Sequence, residues 1–207
     1  MKIGIFGSSG HAREIADLAY SLNHDFIFIK KNDSKDFLEP TYKFIEEEKL
    51  NLKDFDGFAI GVASNKIREK IFKKYENLNW INLIHPSASF GISTEDEIFK
   101  KKGLIICAGA RCANSVILGN FQIINQNATI GHDCIVEDFV NISPGANISG
   151  YVNIGKYSFL GTNSSIVNGT ADKRLIITKN TLIGAGSLIL HSITEPGTYV
   201  GSPAKKL

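Results

Sequence analysis

Long apolar runs are missing from this 207-residue sequence, although 43% of its residues are hydrophobic. The stretch LIICAGA is among the longest, and it is far too short to cross a bilayer, which needs about 20 apolar residues. The N-terminus carries neither the basic flank nor the cleavage site of a signal peptide. We therefore expect a cytoplasmic protein without membrane insertion.

Cysteine is also scarce, and the charges nearly cancel. The three cysteines, Cys107, Cys112 and Cys134, form no Cys-x-x-Cys pair, so we expect reduced thiols and neither a disulfide nor a metal site. There are 23 lysines and arginines against 21 acidic residues, a net charge of +2, and the lysines are scattered along the chain. This balance gives no reason to expect nucleic acid as a partner.

The second half of the chain is rich in Asn, Gly and Ser, yet an aliphatic residue returns at every sixth position. The series is Leu118, Ile124, Ile130, Val136, Ile142, Ile148, Ile154, Leu160 and Ile166. It stops in the segment VNGTADKRL and resumes in a new phase at Ile177, Ile183 and Ile189. A unit of six residues cannot bury its own apolar face, so neighbouring units must stack. Three units close a triangular coil of about eighteen residues, and VNGTADKRL is predicted to be a loop pushed out of the stack.

The first 85 residues follow another pattern, in which short strands alternate with helices. The segments that predict strands are KIGIF, DFIFI, GFAIGV and WINLI. Apolar residues at helical spacing run from Ala12 to Leu22, and again through SNKIREKIFKKYENL in a stripe of Ile67, Ile71, Tyr75 and Leu78. This alternation predicts a small parallel sheet of Rossmann-like character, with the stacked coils beginning near HPSAS.

A glycine loop, GSSG at residues 7–10, joins the first predicted strand to the first helix. Glycines allow a tight turn and a close approach to a ligand, and the N–H groups at a helix start favour a phosphate. The loop is an incomplete dinucleotide fingerprint, which needs another glycine and an acid near the end of the second strand. Lys30 and Lys31 stand there instead. They disfavour a nicotinamide cofactor and fit a phosphate, a carboxylate or solvent.

Four segments together carry a resemblance to a known family. They are IFGSSGH, AIGVASNKIR, IGHDC and the terminal VGSPAKKL. In order and spacing they resemble, over nearly the whole chain, the NeuD/PglD-like sugar acyltransferases. The resemblance implies a Rossmann-like sugar-nucleotide-binding domain at residues 1–85 and a left-handed parallel β-helix of hexapeptide repeats at 86–207. It also implies a homotrimer that transfers acetyl from acetyl-CoA to a nucleotide-linked amino sugar or to a sialic acid hydroxyl, with active sites between adjacent β-helices.

Such a transfer needs a general base, because a sugar amine is largely protonated at neutral pH and a hydroxyl is a poor nucleophile. Imidazole suits this role because its ordinary pKa is near neutral. His132 is the only histidine in the nine-repeat run, and it stands two places after the interior Ile130, away from the aliphatic position. The resemblance makes Asp133 the acid that orients His132. It also places Asn125 beside the reacting amine and the N–H of Gly150 beside the developing oxyanion. Adjacent strand residues point to opposite faces, so we expect the His132–Asp133 pair only at a corner or across a subunit interface.

The resemblance assigns two further groups of residues to binding. The candidates for the sugar nucleotide are Gly7, Ser8, Ser9, Gly10, His11, Asn65 and Arg68. The candidates for acetyl-CoA are Gly161, Thr162, Ala185, Gly186, Pro203 and Lys205. Small residues would let the pantetheine arm lie along the coil, and a lysine suits its phosphates.

Two departures from the family pattern keep alternatives open. Asn141 stands where many relatives have a histidine, and Lys30 and Lys31 replace acidic residues that help to hold the nucleotide. The main prediction is N-acetylation of a nucleotide-activated 4-amino-dideoxy sugar for surface-glycan synthesis, with acetyl-CoA as cosubstrate and no metal. A sialic-acid-type O-acetyltransferase is the enzymatic alternative, and a non-catalytic sugar-binding β-helix trimer is the non-enzymatic one.

Overall fold

The computed structural model describes residues 1–31 and 42–207, and its first part contains a four-stranded parallel sheet in the order β3-β2-β1-β4. The strands are β1 (Lys2–Phe6), β2 (Asp25–Lys30), β3 (Phe44–Glu46) and β4 (Gly57–Ile60). The helices are α1 (Gly10–Ser21) and α2 (Asn65–Lys74), with 3-10 turns at Glu47–Lys49 and Leu52–Asp54. The predicted strand-loop-helix opening is confirmed, whereas β3 carries no clear sequence signal.

The loop between β1 and α1 approaches the end of β4 closely. Gly7 has φ +128°, and a Cβ atom there would lie 2.7 Å from the carbonyl oxygen of Gly61. Helix α1 then buries Ala12, Ile15 and Ala19 in a cluster that also includes residues of the second part of the chain. Glycine at position 7 therefore allows the loop to lie against the end of β4, and the apolar face of α1 packs the helix into the core.

The second part is a triangular prism of short parallel strands. In chain order they are β5 (Leu83–Ile84), β6 (Ser89–Phe90), β7 (Ile105–Ile106), β8 (Arg111–Cys112), β9 (Ile117–Leu118), β10 (Ile123–Ile124), β11 (Thr129–Ile130), β12 (Ile135–Val136), β13 (Asn141–Ile142), β14 (Asn147–Ile148), β15 (Val152–Ile154), β16 (Phe159–Leu160), β17 (Ser165–Ile166), β18 (Leu175–Ile177), β19 (Thr181–Ile183) and β20 (Leu188–Ile189). Helix α3 (Ile92–Ile98) lies at one end, and a hairpin of β21 (Gly197–Gly201) and β22 (Ala204–Lys206) at the other.

These strands form three sheets, which we call the first, second and third sheet. Their orders are β22-β21-β19-β16-β13-β10-β7-β5, β20-β17-β14-β11-β8-β6 and β18-β15-β12-β9. Ile124 pairs with Ile142 and Ile142 with Leu160, so each coil takes eighteen residues, as the hexapeptide period predicts. All nine aliphatic positions of the period point inward and are no more than 2% exposed. They form the core of the prism.

Three edges join the sheets. The chain passes from the first to the second sheet at the first edge, from the second to the third sheet at the second edge, and from the third back to the first sheet at the third edge. The residues at the corners adopt the left-handed conformation, including Ser115, Phe121, Asn127, Asp133, Phe139, Gly145, Tyr151, Tyr157 and Asn163. Eight of these nine corner N–H groups donate to a carbonyl of the preceding coil, as from Asp133 to Asn114 at 3.1 Å and from Tyr151 to His132 at 3.0 Å, and that of Ser115 donates to Oγ of Ser93. These bonds offset the cost of the left-handed backbone.

Two details of the predicted first part are wrong. The segment WINLI does not complete the first sheet: Trp80 makes a single bridge to Phe58, while Leu83–Ile84 pairs with β7 of the prism. In the second helical segment, Ile71, Tyr75 and Leu78 of the predicted stripe pack against the aromatic core, but Ile67 is 48% exposed and Arg68 is buried. The predicted loop at VNGTADKRL does leave the stack, between β17 and β18.

Candidate active site

The second edge of the prism carries His132 and Asp133. Strand β11 ends at Ile130, and the chain turns at Asp133, which has φ +58°. This turn brings the Asp133 carboxylate to 2.7 Å from Nδ1 of His132. The His132 side chain is 58% exposed and lies outside the aliphatic core. The corner therefore allows two adjacent residues to pair, which a continuous strand would not.

Gly150 lies one coil beyond His132 on the same edge. A Cβ atom at Gly150 would lie 2.7 Å from both Cε1 and Nε2 of His132, so only glycine leaves room for the ring. Among the described residues, the Gly150 N–H donates to no acceptor, although the N–H groups of Ser149 and Tyr151 on either side are bonded. An unpaired N–H next to Nε2 can stabilise negative charge on a reacting oxygen.

Two residues beside this corner have no signal in the hexapeptide period. The Tyr151 ring meets the His132 ring edge-on, with centroids 5.1 Å apart at 90°. The guanidinium of Arg174 lies 5.7 Å from the Tyr151 centroid and donates to the carbonyl of Asp133. Arg174 comes from the loop that interrupts the repeat, and its position there depends on how that loop folds.

Asn125 does not lie beside His132 within one chain. It follows β10 and so occupies the first edge, whereas His132 follows β11 and occupies the second. Asn125 is 6% exposed, and its Nδ2 donates to the carbonyl of Ile142 at 2.9 Å. Asn141 is buried on the outer face of the first sheet and donates to Oγ of Ser143 at 3.3 Å.

The residues predicted for acetyl-CoA line the first edge and the hairpin above it. Gly161 and Thr162 follow β16, and Ala185 and Gly186 follow β19, directly stacked on them through a 2.8 Å bond from Gly186 N to Thr162 O. A Cβ atom at Gly161 would lie 2.5 Å from the backbone N of Ala185, so these coils pack closely. The terminal hairpin, which carries Pro203 and Lys205, extends the first sheet at the same end of the prism.

The glycine loop stands at the N-terminus of α1. Ser9 and Gly10 are exposed, Ser8 is buried, and the Ser9 side chain makes no capping bond. His11 is largely buried, with Nδ1 2.9 Å from Glu14 and Nε2 without a partner among the described residues. Burial lowers the pKa of His11, and the nearby Arg68 charge adds to this effect while Glu14 opposes it.

A groove of about 200 Å³ runs from α1 to the first edge. Glu14, Asp17, His85 and Gln126 provide its polar lining. Gln126 is the neighbour of Asn125, so the groove connects the first helix with the edge that carries the predicted acetyl-CoA residues.

Asn65 and Arg68, two of the residues predicted to bind the sugar nucleotide, join the two parts of the chain through hydrogen bonds to backbone carbonyls of the prism. Asn65 donates to the carbonyls of Tyr157 and Ser158 at the third edge. Arg68 is 2% exposed and donates to five carbonyl oxygens, those of Val62, Ala63, Phe121, Phe139 and Val140. Burial lowers the pKa of Arg68 to about 9, which leaves the guanidinium charged at neutral pH.

The cysteines stand apart from this chemistry. Burial raises the pKa of both Cys107 and Cys112 to about 12, so both remain thiols. No group of three metal-ligating side chains occurs within residues 1–31 and 42–207. In that part of the chain, no helix is long and apolar enough to span a bilayer.

Comparison with known proteins agrees with this architecture. Residues 2–75 match the model of the PglD N-terminal domain. The chain is 26% identical over 219 residues to the GDP-perosamine N-acetyltransferase of Escherichia coli O157:H7, covering 99% of this chain and 95% of that protein. WeeI from Acinetobacter baumannii AYE superposes with a TM-score of 0.86 at 25% identity, over 100% of both chains. The acetyltransferase domain of PglB from Neisseria gonorrhoeae FA1090 superposes with a TM-score of 0.79 at 28% identity, over 100% of this chain and 99% of that one.

A Rossmann-like sheet followed by a left-handed parallel β-helix defines a class of hexapeptide-repeat acyltransferases, and the fold predicted from the sequence is confirmed. Within that class, the chain is similar to the NeuD/PglD-like sugar acyltransferases, as the motifs of the sequence predict.

Proposed function

We propose that this protein is an acetyl-CoA-dependent N-acetyltransferase that acts on a nucleotide-activated amino sugar, of the 4-amino-dideoxy type, for surface-glycan synthesis in the cytoplasm. One observation carries the proposal: on the edge of the β-helix, an exposed imidazole is held by a carboxylate and packs against Gly150, whose N–H has no acceptor among the described residues. A relative named for GDP-perosamine N-acetylation aligns with nearly the whole chain. The PglB domain, at 26% identity and a TM-score of 0.73, has been solved with acetyl coenzyme A.

His132 acts as the general base in this mechanism. Asp133 accepts a hydrogen bond from Nδ1–H of His132, so the lone pair is on Nε2. Nε2 takes the proton from the sugar amine as the amine nitrogen bonds to the thioester carbonyl carbon. His132 then returns that proton to the departing sulfur as the C–S bond breaks, which leaves an amide and the free thiol of CoA. The Gly150 N–H stabilises the negative charge that develops on the carbonyl oxygen.

The distribution of the candidate residues over two edges makes a homotrimer part of the proposal. His132, Asp133 and Gly150 lie on the second edge, while Asn125 and the acetyl-CoA candidates lie on the first. A threefold arrangement that turns the second sheet toward the axis brings the second edge of one copy beside the first edge of the next. Each active site would then be completed by a neighbouring copy.

The experiment that tests this function is a substrate screen. Purified protein is incubated with acetyl-CoA and a panel that contains GDP-perosamine, other nucleotide-linked amino sugars and free sialic acids, and thiol release is measured. We expect turnover with a nucleotide-linked amino sugar. Turnover with sialic acids alone would replace the proposal by O-acetylation, and no thiol release with any acceptor would overturn it.

A variant of His132 tests the mechanism on the best substrate of that screen. His132→Ala should lower kcat by about 10² to 10⁴, the usual contribution of a positioned base. It should leave acetyl-CoA affinity and the fold unchanged, because the side chain lies outside the core. The acid limb of the pH–rate profile should disappear in the variant. His191→Ala is the matched control, since His191 is an exposed histidine on the same edge. If His132→Ala keeps most of its turnover, the base is another group.

A further inference from the structure

The loop that interrupts the hexapeptide period returns to the second edge, where His132 lies. It leaves the prism after β17 and re-enters at β18, and both of these strands adjoin that edge. Gly169 N bonds to the carbonyl of Gly150 at 3.0 Å, and Leu175 N bonds to that of Tyr151 at 3.0 Å. The two ends of the loop are thus fixed to the coil that carries Gly150.

Arg174 is the last residue of this loop, and it connects three parts of the site. Its Nε donates to Oδ1 of Asn153 at 2.7 Å, and its Nη2 donates to the backbone carbonyl of Asp133. Its planar face lies 5.7 Å from the ring centroid of Tyr151, which in turn meets the His132 ring edge-on. Within the described residues, Arg174 forms no ion pair with a carboxylate, so neutral oxygens and a ring hold it.

Each of these contacts acts on a group that determines where the imidazole lies. Asp133 has a left-handed backbone conformation. Its carbonyl accepts a hydrogen bond from Arg174, and its N–H donates to the carbonyl of Asn114, so this corner is fixed from both sides. Tyr151 limits the tilt of the His132 ring because the two rings are perpendicular and in contact. The fork of an arginine can hold both groups at once, whereas a lysine cannot.

We propose that Arg174 is a positioning residue that fixes the Asp133 corner and the Tyr151 ring, and through them the orientation of His132. The proposal rests on the proposed function in one respect, the role of His132 as the base. Arg174 itself touches no reacting atom. The interruption of the repeat is therefore a device that delivers one arginine to the catalytic corner.

Steady-state kinetics test the catalytic part of this proposal. Arg174→Gln should lower kcat by about 10- to 100-fold, because small displacements of a catalytic group have effects of this size, and should leave the KM for acetyl-CoA unchanged. Arg174→Lys keeps the charge and should lose nearly as much. Lys173→Gln is the matched control, since Lys173 is exposed on the same loop and its backbone N–H, not its side chain, donates to Oγ1 of Thr170. Full activity in Arg174→Lys would show that the planar set of N–H donors of the arginine is not needed.

A double variant separates positioning from a general structural effect. In the His132→Ala background, Arg174→Gln should cause no further loss of the residual activity, because Arg174 acts only through the imidazole. An additional loss of the same size would show that Arg174 supports the fold or the substrate instead. Circular dichroism and thermal unfolding of each variant identify any that fails to fold, in which case Arg174→Lys provides the comparison.

A measurement without substrate keeps this proposal independent of the proposed function. In protein labelled with ¹⁵N-histidine, the ring signals assigned to His132 by their loss in His132→Ala should shift in Arg174→Gln. The ring signals of the other four histidines should stay in place. Unchanged His132 signals would overturn the positioning role, whereas a shift in a protein that acetylates no amino sugar would leave it standing and remove only the function.

Discussion

At the scale of single residues, the left-handed corner explains why adjacent residues can act together. His132 and Asp133 would point to opposite sides of a strand, but the φ of +58° at Asp133 bends the chain between them. Asp tolerates this conformation better than most residues with a side chain. The same corner lets the Asp133 carbonyl meet Arg174, so one backbone conformation places both the carboxylate and its support.

His11 should make the stability of the protein depend on pH. Burial lowers its pKa from the ordinary 6.5, with Glu14 opposing and Arg68 assisting the shift. Below pH 6.5 the unfolded chain binds a proton that the folded chain does not, so stability falls with pH until the lowered folded pKa is reached. The loss is at most about 1.4 kcal/mol per pH unit.

The test compares the free energy of unfolding in urea at pH 7.5 and pH 5.5. His11→Gln should lose less stability over this interval than the wild type, because the carboxylates with shifted pKa titrate at lower pH. His191→Gln, at an exposed site, should behave like the wild type. An identical loss in His11→Gln and the wild type would contradict the assignment.

At the scale of elements, α2 is the connection between the two parts of the chain. Phe121, Phe139 and Tyr157 stack along the third edge, with centroids 5.1 Å and 6.0 Å apart. Arg68 reaches the carbonyls of Phe121 and Phe139, and Phe72 of α2 packs on the same rings. These contacts hold the N-terminal domain at a fixed position on the β-helix.

Arg68→Met should be strongly destabilising for this reason. Methionine fills much of the same space but removes the side-chain donor from five carbonyl oxygens, of which only that of Val140 keeps a second donor among the described residues, the N–H of Ile123. The loss of a buried charged partner costs about 3 to 5 kcal/mol. Lys70→Met, on the exposed side of α2, should cost less than about 0.5 kcal/mol. Chemical denaturation measures both. Equal stability of the two variants would mean that the Arg68 contacts contribute little.

The elements of the fold differ in how far the sequence alone predicts them. The hexapeptide period predicts the nine aliphatic core positions from Leu118 to Ile166, because each of these residues faces the same narrow interior. Arg68 is missed because burial of a charge depends on carbonyls that are more than 50 residues away along the chain. The packing of Leu83–Ile84 on the prism is missed because a two-residue apolar strand fits either sheet equally well. Arg174 is missed because its loop has no period at all.

At the scale of the whole molecule, the residues proposed for catalysis and for acetyl-CoA binding lie on two different edges of the prism, so one chain alone does not bring them together. The proposed base and oxyanion donor are on the second edge, and the small residues proposed to bind acetyl-CoA are on the first, with the second sheet between them. The outer face of the first sheet is covered in part by the N-terminal domain, since Ile105 and Ile123 pack with Ile3 and Ile5. Of the other two sheets, only the second lies between the two edges that carry these residues, so we propose it as the face that turns toward a threefold axis.

Complementation between two inactive variants tests this arrangement directly. His132→Ala removes the base from the second edge, and Ala185→Trp blocks the first edge at an exposed position without touching the core. Each variant alone should sediment as a trimer in ultracentrifugation and be inactive. When the two are co-expressed with different tags, each trimer that contains both variants should have one site of three with both normal edges, one from each copy. Purification through both tags followed by the thiol-release assay measures the recovered activity.

The outcome distinguishes the possible locations of the active site. Activity near one third of the wild-type level in the doubly tagged trimers requires that His132 and Ala185 of different copies meet, because no single chain in the mixture carries both normal residues. Trimers that carry both tags but the same variant are the control, and they should remain inactive. Mixed trimers without recovered activity would show that the two edges of one copy serve the same site, and a monomer in ultracentrifugation would exclude a shared site altogether. A site shared between copies would also explain why Asn125 and His132, both assigned to the reaction, lie on different edges of one chain.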